Sequence, residues 1–296
     1  MDAIELGATL YVPATRGDLL AIASGRHPAL RSAVICLEDA ISPRQLPEAL
    51  ENLARLLGSG WSGGPALFVR PRDAAMLAQI ERLDGAERLA GYVIPKATAD
   101  SLPDYVAASA PERLLMPTLE TAEALDPYHA ARLREQLAAI RPRILALRIG
   151  GNDLLQSIGA RRSADRTAYE GPLGAITGAL VASFAPFGFQ LSAPVFEHFE
   201  RPSVLRAEVE RDLDFGLYTK TAIHPAQVAL IHACYRVSAE DHAEASAILG
   251  AQRAVFGSRG AMCEERTHRR WAEIVRRRGA LFGVNPPAGE LGIVGA

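Results

Sequence analysis

Eight short β-rich runs, each followed by a polar turn and usually by a stretch with helical spacing, constrain the fold of this 296-residue chain more than any other feature. They fall at residues 9–14, 33–37, 66–70, 91–95, 113–117, 144–149, 189–193 and 218–223. Runs such as AVICL, ALFV and ILALRI are apolar on both faces, the pattern of parallel strands covered on each side. Between them, LPEALENLARLL, AAMLAQIERL, DPYHAARLREQLAAI, GPLGAITGALVASFAPF and SVLRAEVERDLDFG repeat apolar residues three and four apart and predict helices. Strand and helix alternating eight times predict an α/β fold, a (β/α)8 TIM barrel. An open doubly wound sheet would need only six strands.

After His224-Pro225 the rhythm changes. Residues 226–236 and 238–256 predict two more helices, GSRGAM a glycine-bearing break, and ERTHRRWAEIVRRR a basic helix. The Pro- and Gly-rich GVNPPAGELGIVGA reads as a loose tail. The expected organisation is therefore a barrel over 1–235 and a C-terminal helical extension over 236–296. Such an extension is free to cover the barrel mouth or to cross to a neighbouring subunit.

Hydrophobic residues make up 49% of the chain and charged residues 22%, enough for a large core and incompatible with a disordered class. A net charge of −2 gives no general attraction to nucleic acid or an anionic membrane. No window reaches the roughly 18 apolar residues of a membrane span. The N-terminus carries two acids ahead of its apolar run, unlike a signal peptide. Three scattered cysteines without a CxxC argue against a disulfide framework or zinc site and suit a cytoplasmic location.

In a barrel, polar residues at the carboxyl ends of the strands converge on one mouth. Here those are Arg16 after the first run, Glu38 and Asp39 after the second, Arg70 at the third, Lys96 after the fourth, Glu120 after the fifth and Asp153 after the sixth. Lys220 and His224 lie about the eighth. Taken singly, each has a plainer meaning. Asp39 or Asp153 reads equally as a helix cap or turn residue, Arg70 as a surface ion pair, Lys96 as a loop lysine and His224 as a hydrogen-bonded structural residue.

Taken together they describe a site. Glu120 and Asp153 follow adjacent strands, so their oxygens can approach each other. Two hard oxygen ligands with open positions describe a Mg2+ site that keeps waters and awaits an oxygen-rich substrate. The histidines show no paired ligand spacing for zinc, and neither GxxxxGK[ST] nor GxSxG occurs.

The segments LYVPATRGD, AVICLEDAI, LFVRPRD, VIPKA, LETAEAL, RIGGNDL and TKTAIHPAQV, in that order, resemble the citrate lyase β-subunit-like branch of the HpcH/HpaI aldolase family. The likeness covers residues 10–227, more weakly to near 279, and its specificity rests on LEDA and AIHPAQ occurring together. It implies a TIM barrel, bound Mg2+, trimers or hexamers, and a carbon–carbon bond made or broken in a 3-hydroxyacyl thioester. Glu120 and Asp153 match the family's metal ligands, and Arg70 matches the arginine that holds the keto-acid oxygens. Glu38 and Asp39 match the acidic pair beside the metal and its waters. Arg16 and Lys96 sit where family members line the mouth and approach the substrate or the coenzyme A phosphates. GAMCEER resembles a late G-x-M-x-D stretch whose aspartate is an acid/base delivered from an adjacent subunit, with Glu264 at that position.

The sequence departs from the family pattern at Glu264, at LSAPVFEHFERP in the seventh-strand region, at GGND and at RPRD. The activity implied is a Mg2+-dependent carbon–carbon lyase acting on a thioester such as malyl-, citramalyl- or citryl-CoA, with small molecules and copies of itself as partners. An aldolase on a free keto acid remains open, as does a catalytically altered barrel serving as a binding or assembly component.

Overall fold

The computed structural model describes residues 1–286. Eight parallel strands lie where the apolar runs do: β1 (Ala8–Pro13), β2 (Ser32–Cys36), β3 (Ala66–Arg70), β4 (Gly91–Ile94), β5 (Leu114–Leu119), β6 (Leu147–Ile149), β7 (Leu191–Ser192) and β8 (Lys220–Ala222). They follow one another in the sheet from β1 to β7, with β8 hydrogen-bonded to β1. A single bridge, Ala193 to Lys220, joins the β7 edge to β8 and closes the barrel. The expected (β/α)8 architecture is what forms.

The helices between strands begin where the sequence offers caps. Asp73 accepts from the Met76 amide at 2.7 Å and starts Ala74–Ile80, and Asp126 caps the Tyr128 and His129 amides of Pro127–Ala139. Two apolar layers result. Val34, Phe68, Val93, Met116 and Ala146 form one cluster, one or more residues from each of five neighbouring elements about β2–β6. Leu119, Leu147, Ile149 and Leu191 pack with Leu133, Leu137, Leu180 and Phe184 of the surrounding helices in another. Side chains alternate along each strand, so inward and outward sets are fixed by parity.

The chain divides into two compact units, Met1–Ile231 and His232–Ala296. In the second, Ala245 and Ile248 of helix Ala239–Leu249 share a core with Ala272 and Val275 of helix Glu265–Phe282. One expectation fails here. The helix anticipated over 238–256 stops at Leu249, and β9 (Val255–Ser258) pairs antiparallel with β10 (Ala261–Glu264). The GSRGAM break is the hairpin turn: Arg259 and Gly260 both have positive φ, 51° and 78°, as a two-residue turn matched to strand twist requires. Val255 and Met262 are exposed while Cys263 is buried and Phe256 half-buried against the core of the second unit, an alternation only four residues long in each strand. Most of the tail expected over 283–296 lies outside the described residues.

Candidate active site

Register brings the first pair of site residues together. In the β5–β6 ladder Thr118 pairs with Arg148 and Leu119 with Ile149, so Glu120 and Gly150 stand side by side one step further along. The Gly150 amide donates to the Leu119 carbonyl at 3.1 Å and keeps that register beyond the strands. Glu120 is 4% exposed, and its Oε1 accepts from Arg70 Nη2 at 3.0 Å and from the Lys96 amide at 2.7 Å. Lys96 turns its amide inward from a left-handed backbone, φ 45°, one of two non-glycine residues so placed among those described. Such a conformation costs on the order of 1 kcal/mol and persists where its surroundings demand it.

Arg70 ends β3 at 7% exposure and gathers three acids on one nitrogen: Glu38 at 2.6 Å, Asp39 at 3.0 Å and Glu120. Lys96 Nζ donates to Glu38 at 2.5 Å. Burial works against the charge of Glu38, but hydrogen bonding with Asp39 and the charges of Arg70 and Lys96 hold its carboxyl below the usual range. Asp39 is raised, by burial and by its hydrogen bond to Glu38. Burial pushes Glu120 up to about 7 against the pull of Arg70 and the Lys96 amide, and the nearby Asp153 charge adds to the rise.

Asp153 lies in the first turn of helix Gly151–Ser157, whose N-cap is Gly150 with no side-chain cap bond. It is therefore not the cap. It is half-buried, has no protein hydrogen bond among the described residues, and lines a cavity of about 500 Å3 together with Asp39, Arg70 and Glu120. A divalent oxygen-seeking cation fits this donor set. Both recorded bonds to Glu120 use Oε1, and Oε2 lies against Gly150, whose missing Cβ leaves it room. No group of three or more His, Cys, Asp or Glu among the described residues is arranged to hold a metal, so water or substrate would complete the coordination, as Mg2+ prefers.

Six of the anticipated residues, Glu38, Asp39, Arg70, Lys96, Glu120 and Asp153, thus form one connected group. Arg16 forks onto Asp18 at 2.7 Å, half-exposed on its loop, and is not part of that group. Glu264 ends β10 in the C-terminal unit, where its carboxylate accepts from Thr267 at 3.1 Å. Lys220 does not face the mouth: fully buried, it points away from the barrel interior onto Glu208 and Asp212 of helix Pro202–Asp214, each at 2.8 Å. Parity explains this, since Thr221 is the inward neighbour. His224 is exposed, stacks on Phe199 and accepts from the Ala226 amide at 3.2 Å through Nδ1.

Three contributors escape sequence reasoning. Arg72 donates to the Leu37 carbonyl at 2.8 Å and to that of Ile41, clamping the segment that carries Glu38 and Asp39. Gln227, buried, accepts from the Ile223 amide at 2.9 Å and donates to the Phe196 carbonyl at 2.7 Å, tying the β8 end to the loop after β7. Arg148, 1% exposed, lies in β6 with its side chain inside the barrel. An arginine in a run as apolar as ILALRI reads as a strand residue, and only its parity with Gly150 signals the site.

Residues 1–284 match the family described as C-C bond lyase of the TIM-barrel fold. The chain belongs to that family. It is a carbon–carbon lyase family enzyme of the citrate lyase β-like group, as the motif order implied. Among its relatives, a (3S)-malyl-CoA thioesterase of Cereibacter sphaeroides is 30% identical over 78% of this chain and 77% of its own. The L-malyl-CoA/beta-methylmalyl-CoA lyase of Rhodobacter capsulatus is 26% identical over 73% and 74%. CitE of Mycobacterium tuberculosis, solved with magnesium, acetoacetate and coenzyme A, shares the fold at a TM-score of 0.72 and 22% identity, covering 94% of this chain and 99% of that one.

Proposed function

We propose that this C-C bond lyase cleaves a 3-hydroxyacyl-CoA thioester, of the malyl-, citramalyl- or citryl-CoA kind, in a Mg2+-dependent retro-Claisen or retro-aldol reaction. The observation that carries the reading is the pairing of Glu120, fixed through one oxygen by Arg70 and Lys96, with the unpartnered Asp153 in the same cavity. The malyl-CoA enzymes among the relatives and the magnesium in the CitE structure support it.

Glu120 and Asp153 would hold the ion. Bound there, Mg2+ supplies a Lewis acid for the hydroxyl and carboxylate oxygens of the acid half. Arg70, kept charged by its three acids, clamps the carboxylate and stabilises the carbonyl that forms as the bond breaks. Its buried Nε has no hydrogen-bond partner among the described residues. Glu38 and Asp39 hold Arg70 and Lys96 in place and receive the hydroxyl proton through water, a role suited to the raised Asp39. The departing thioester half needs a proton at carbon, which this reading assigns to Glu264 on the match of Gly260-Ala261-Met262-Cys263-Glu264 to the family stretch. Lys96 and Arg16 face the coenzyme A phosphates. The same reading includes a cytoplasmic homo-oligomer, trimer or hexamer, with Glu264 delivered by a neighbouring copy. No helix of the described residues is long and apolar enough to cross a membrane.

Incubation with malyl-, citramalyl- and citryl-CoA in Mg2+, followed by product analysis, tests the reading. Glyoxylate, pyruvate or oxaloacetate together with the matching acyl-CoA is expected. Release of free coenzyme A with the intact hydroxy acid would instead identify hydrolysis, the reaction of the Cereibacter relative's name. Turnover of a free hydroxy keto acid without any thioester would favour the aldolase. Loss of no cellular role on Asp153→Ala would favour a binding component.

A further inference from the structure

Five basic side chains are buried among the described residues, and four have carboxylate partners. Arg70 meets Glu38, Asp39 and Glu120; Arg113 meets Glu81; Arg162 meets Glu208; Lys220 meets Glu208 and Asp212. Arg148 is the exception. Its Nη2 donates to the Thr221 hydroxyl at 2.6 Å, and its Nη1 lies 3.5 Å from the Thr9 hydroxyl and 3.7 Å from the Met116 sulfur. Its guanidinium lies 5.2 Å from the centroid of the Tyr11 ring, and Nε has no partner. Hydroxyls, a thioether and a ring face solvate a cation without neutralising it, and a buried charge without a counter-ion costs several kcal/mol. An arginine is always protonated, so it cannot escape by losing the charge.

The guanidinium belongs to the wall of the mouth cavity, on the same inward face of β6 as Gly150 and one layer beneath it. The same cavity is lined by Glu120 and Arg70, the groups that hold the ion and the first carboxylate in the proposed reaction. An anion entering the cavity would give Arg148 what every other buried cation among the described residues already has. A planar fork of N–H donors facing such a position suits a carboxylate.

We infer that Arg148 is a second carboxylate-recognising residue of the mouth, and that the acid half of the substrate is a dicarboxylate whose distal carboxylate reaches it. This rests on the proposed lyase reading and narrows it. The keto acid released carries a second carboxylate, as a 2-oxo diacid does, and pyruvate or glyoxylate lacks the group Arg148 addresses.

The test measures thermal unfolding of the full chain in Mg2+ at constant ionic strength, titrated with malonate and with acetate, for wild type, Arg148→Met and Arg148→Lys. Malonate is expected to raise the Tm of wild type well beyond acetate. Arg148→Met should abolish that advantage and leave the acetate response unchanged, and Arg148→Lys should restore part of it. Without ligand, Arg148→Met should unfold at the same temperature as wild type or higher, because it removes an uncompensated charge; a purely structural arginine would give a lower Tm. Equal malonate responses in wild type and Arg148→Met, or a loss shared by acetate, overturns the assignment. Thioester turnover does not enter this readout. A chain that recognises malonate through Arg148 yet cleaves no thioester refutes the lyase reading alone, whereas cleavage with the malonate response unchanged in Arg148→Met refutes this inference alone.

Discussion

Gly150 and Glu120 are packed so closely that a Cβ at position 150 would stand 2.3 Å from both the Cβ and the Oε2 of Glu120. The φ of Gly150 is −85°, so its backbone is open to any residue and only the missing side chain is needed. Glu120 cannot retreat, because Oε1 is fixed by Arg70 and the Lys96 amide. Gly150→Ala must therefore displace the oxygen assigned to the ion. Overpacking should cost about 1–3 kcal/mol of stability, and a displacement near 1 Å should lower kcat/KM on the order of 100-fold. Denaturant titration and thioester-cleavage kinetics check the pair of effects, and an alanine variant with wild-type kinetics would show that Oε2 is not a working ligand.

Glu120 makes stability depend on pH in a stated direction. Its carboxyl titrates near 7 in the folded protein instead of its ordinary 4.5, because it is buried. The folded state then binds the proton more tightly than the unfolded state between those values. Stability contributed by that proton is complete below about pH 4.5 and lost as pH rises through about 7, a swing on the order of 3 kcal/mol. Glu120→Gln does not titrate. Its stability relative to wild type, measured by urea unfolding in EDTA, should improve between pH 5 and pH 8 by an amount of that order. A constant difference would mean that Glu120 is ionised throughout.

Lys96 serves through two groups that substitution can separate. Its amide holds Glu120, and its ammonium holds Glu38. Glycine adopts a φ of 45° without strain, and alanine does not. Lys96→Gly should thus be more stable than Lys96→Ala by about 1 kcal/mol, although both lose the ammonium. Both should raise KM for a coenzyme A thioester if the ammonium meets phosphate. Equal unfolding midpoints for the two variants would remove the strain from the account.

The barrel was legible because each strand is covered on both faces, so burial left an apolar run with a turn behind it. Glu38, Asp39, Arg70, Lys96, Glu120 and Asp153 were legible because a parallel barrel sends the carboxyl ends of its strands to one side. Parity along the strand separates Lys220 from Thr221: two adjacent residues of one strand end in different layers. Arg148 stayed hidden for a related reason, since an arginine inside the barrel interrupts an apolar run by a single letter. The hairpin of β9 and β10 left no signal because its alternation, Phe256 and Cys263 packed inward and Val255 and Met262 exposed, lasts only four residues in each strand. Arg72 acts on carbonyls at 37 and 41, a contact between loops that no spacing rule contains.

Asp153 offers the cleanest separation of metal binding from folding. It has no protein partner among the described residues, so Asp153→Asn removes a charge and no recorded contact. In EDTA the variant should lie within about 1 kcal/mol of wild type, the scale of a first-turn acid's interaction with the helix dipole. Loss of the neighbouring charge should also bring the Glu120 titration down toward its ordinary range, shrinking the pH-dependent swing. In Mg2+ at 100 times its dissociation constant, wild type should gain about 2.7 kcal/mol and the variant almost none at the same concentration. Unfolding titrations with and without the ion measure all three quantities. An equal gain in the two proteins would place the cation elsewhere in the chain and leave Asp153 as a residue of the cavity wall.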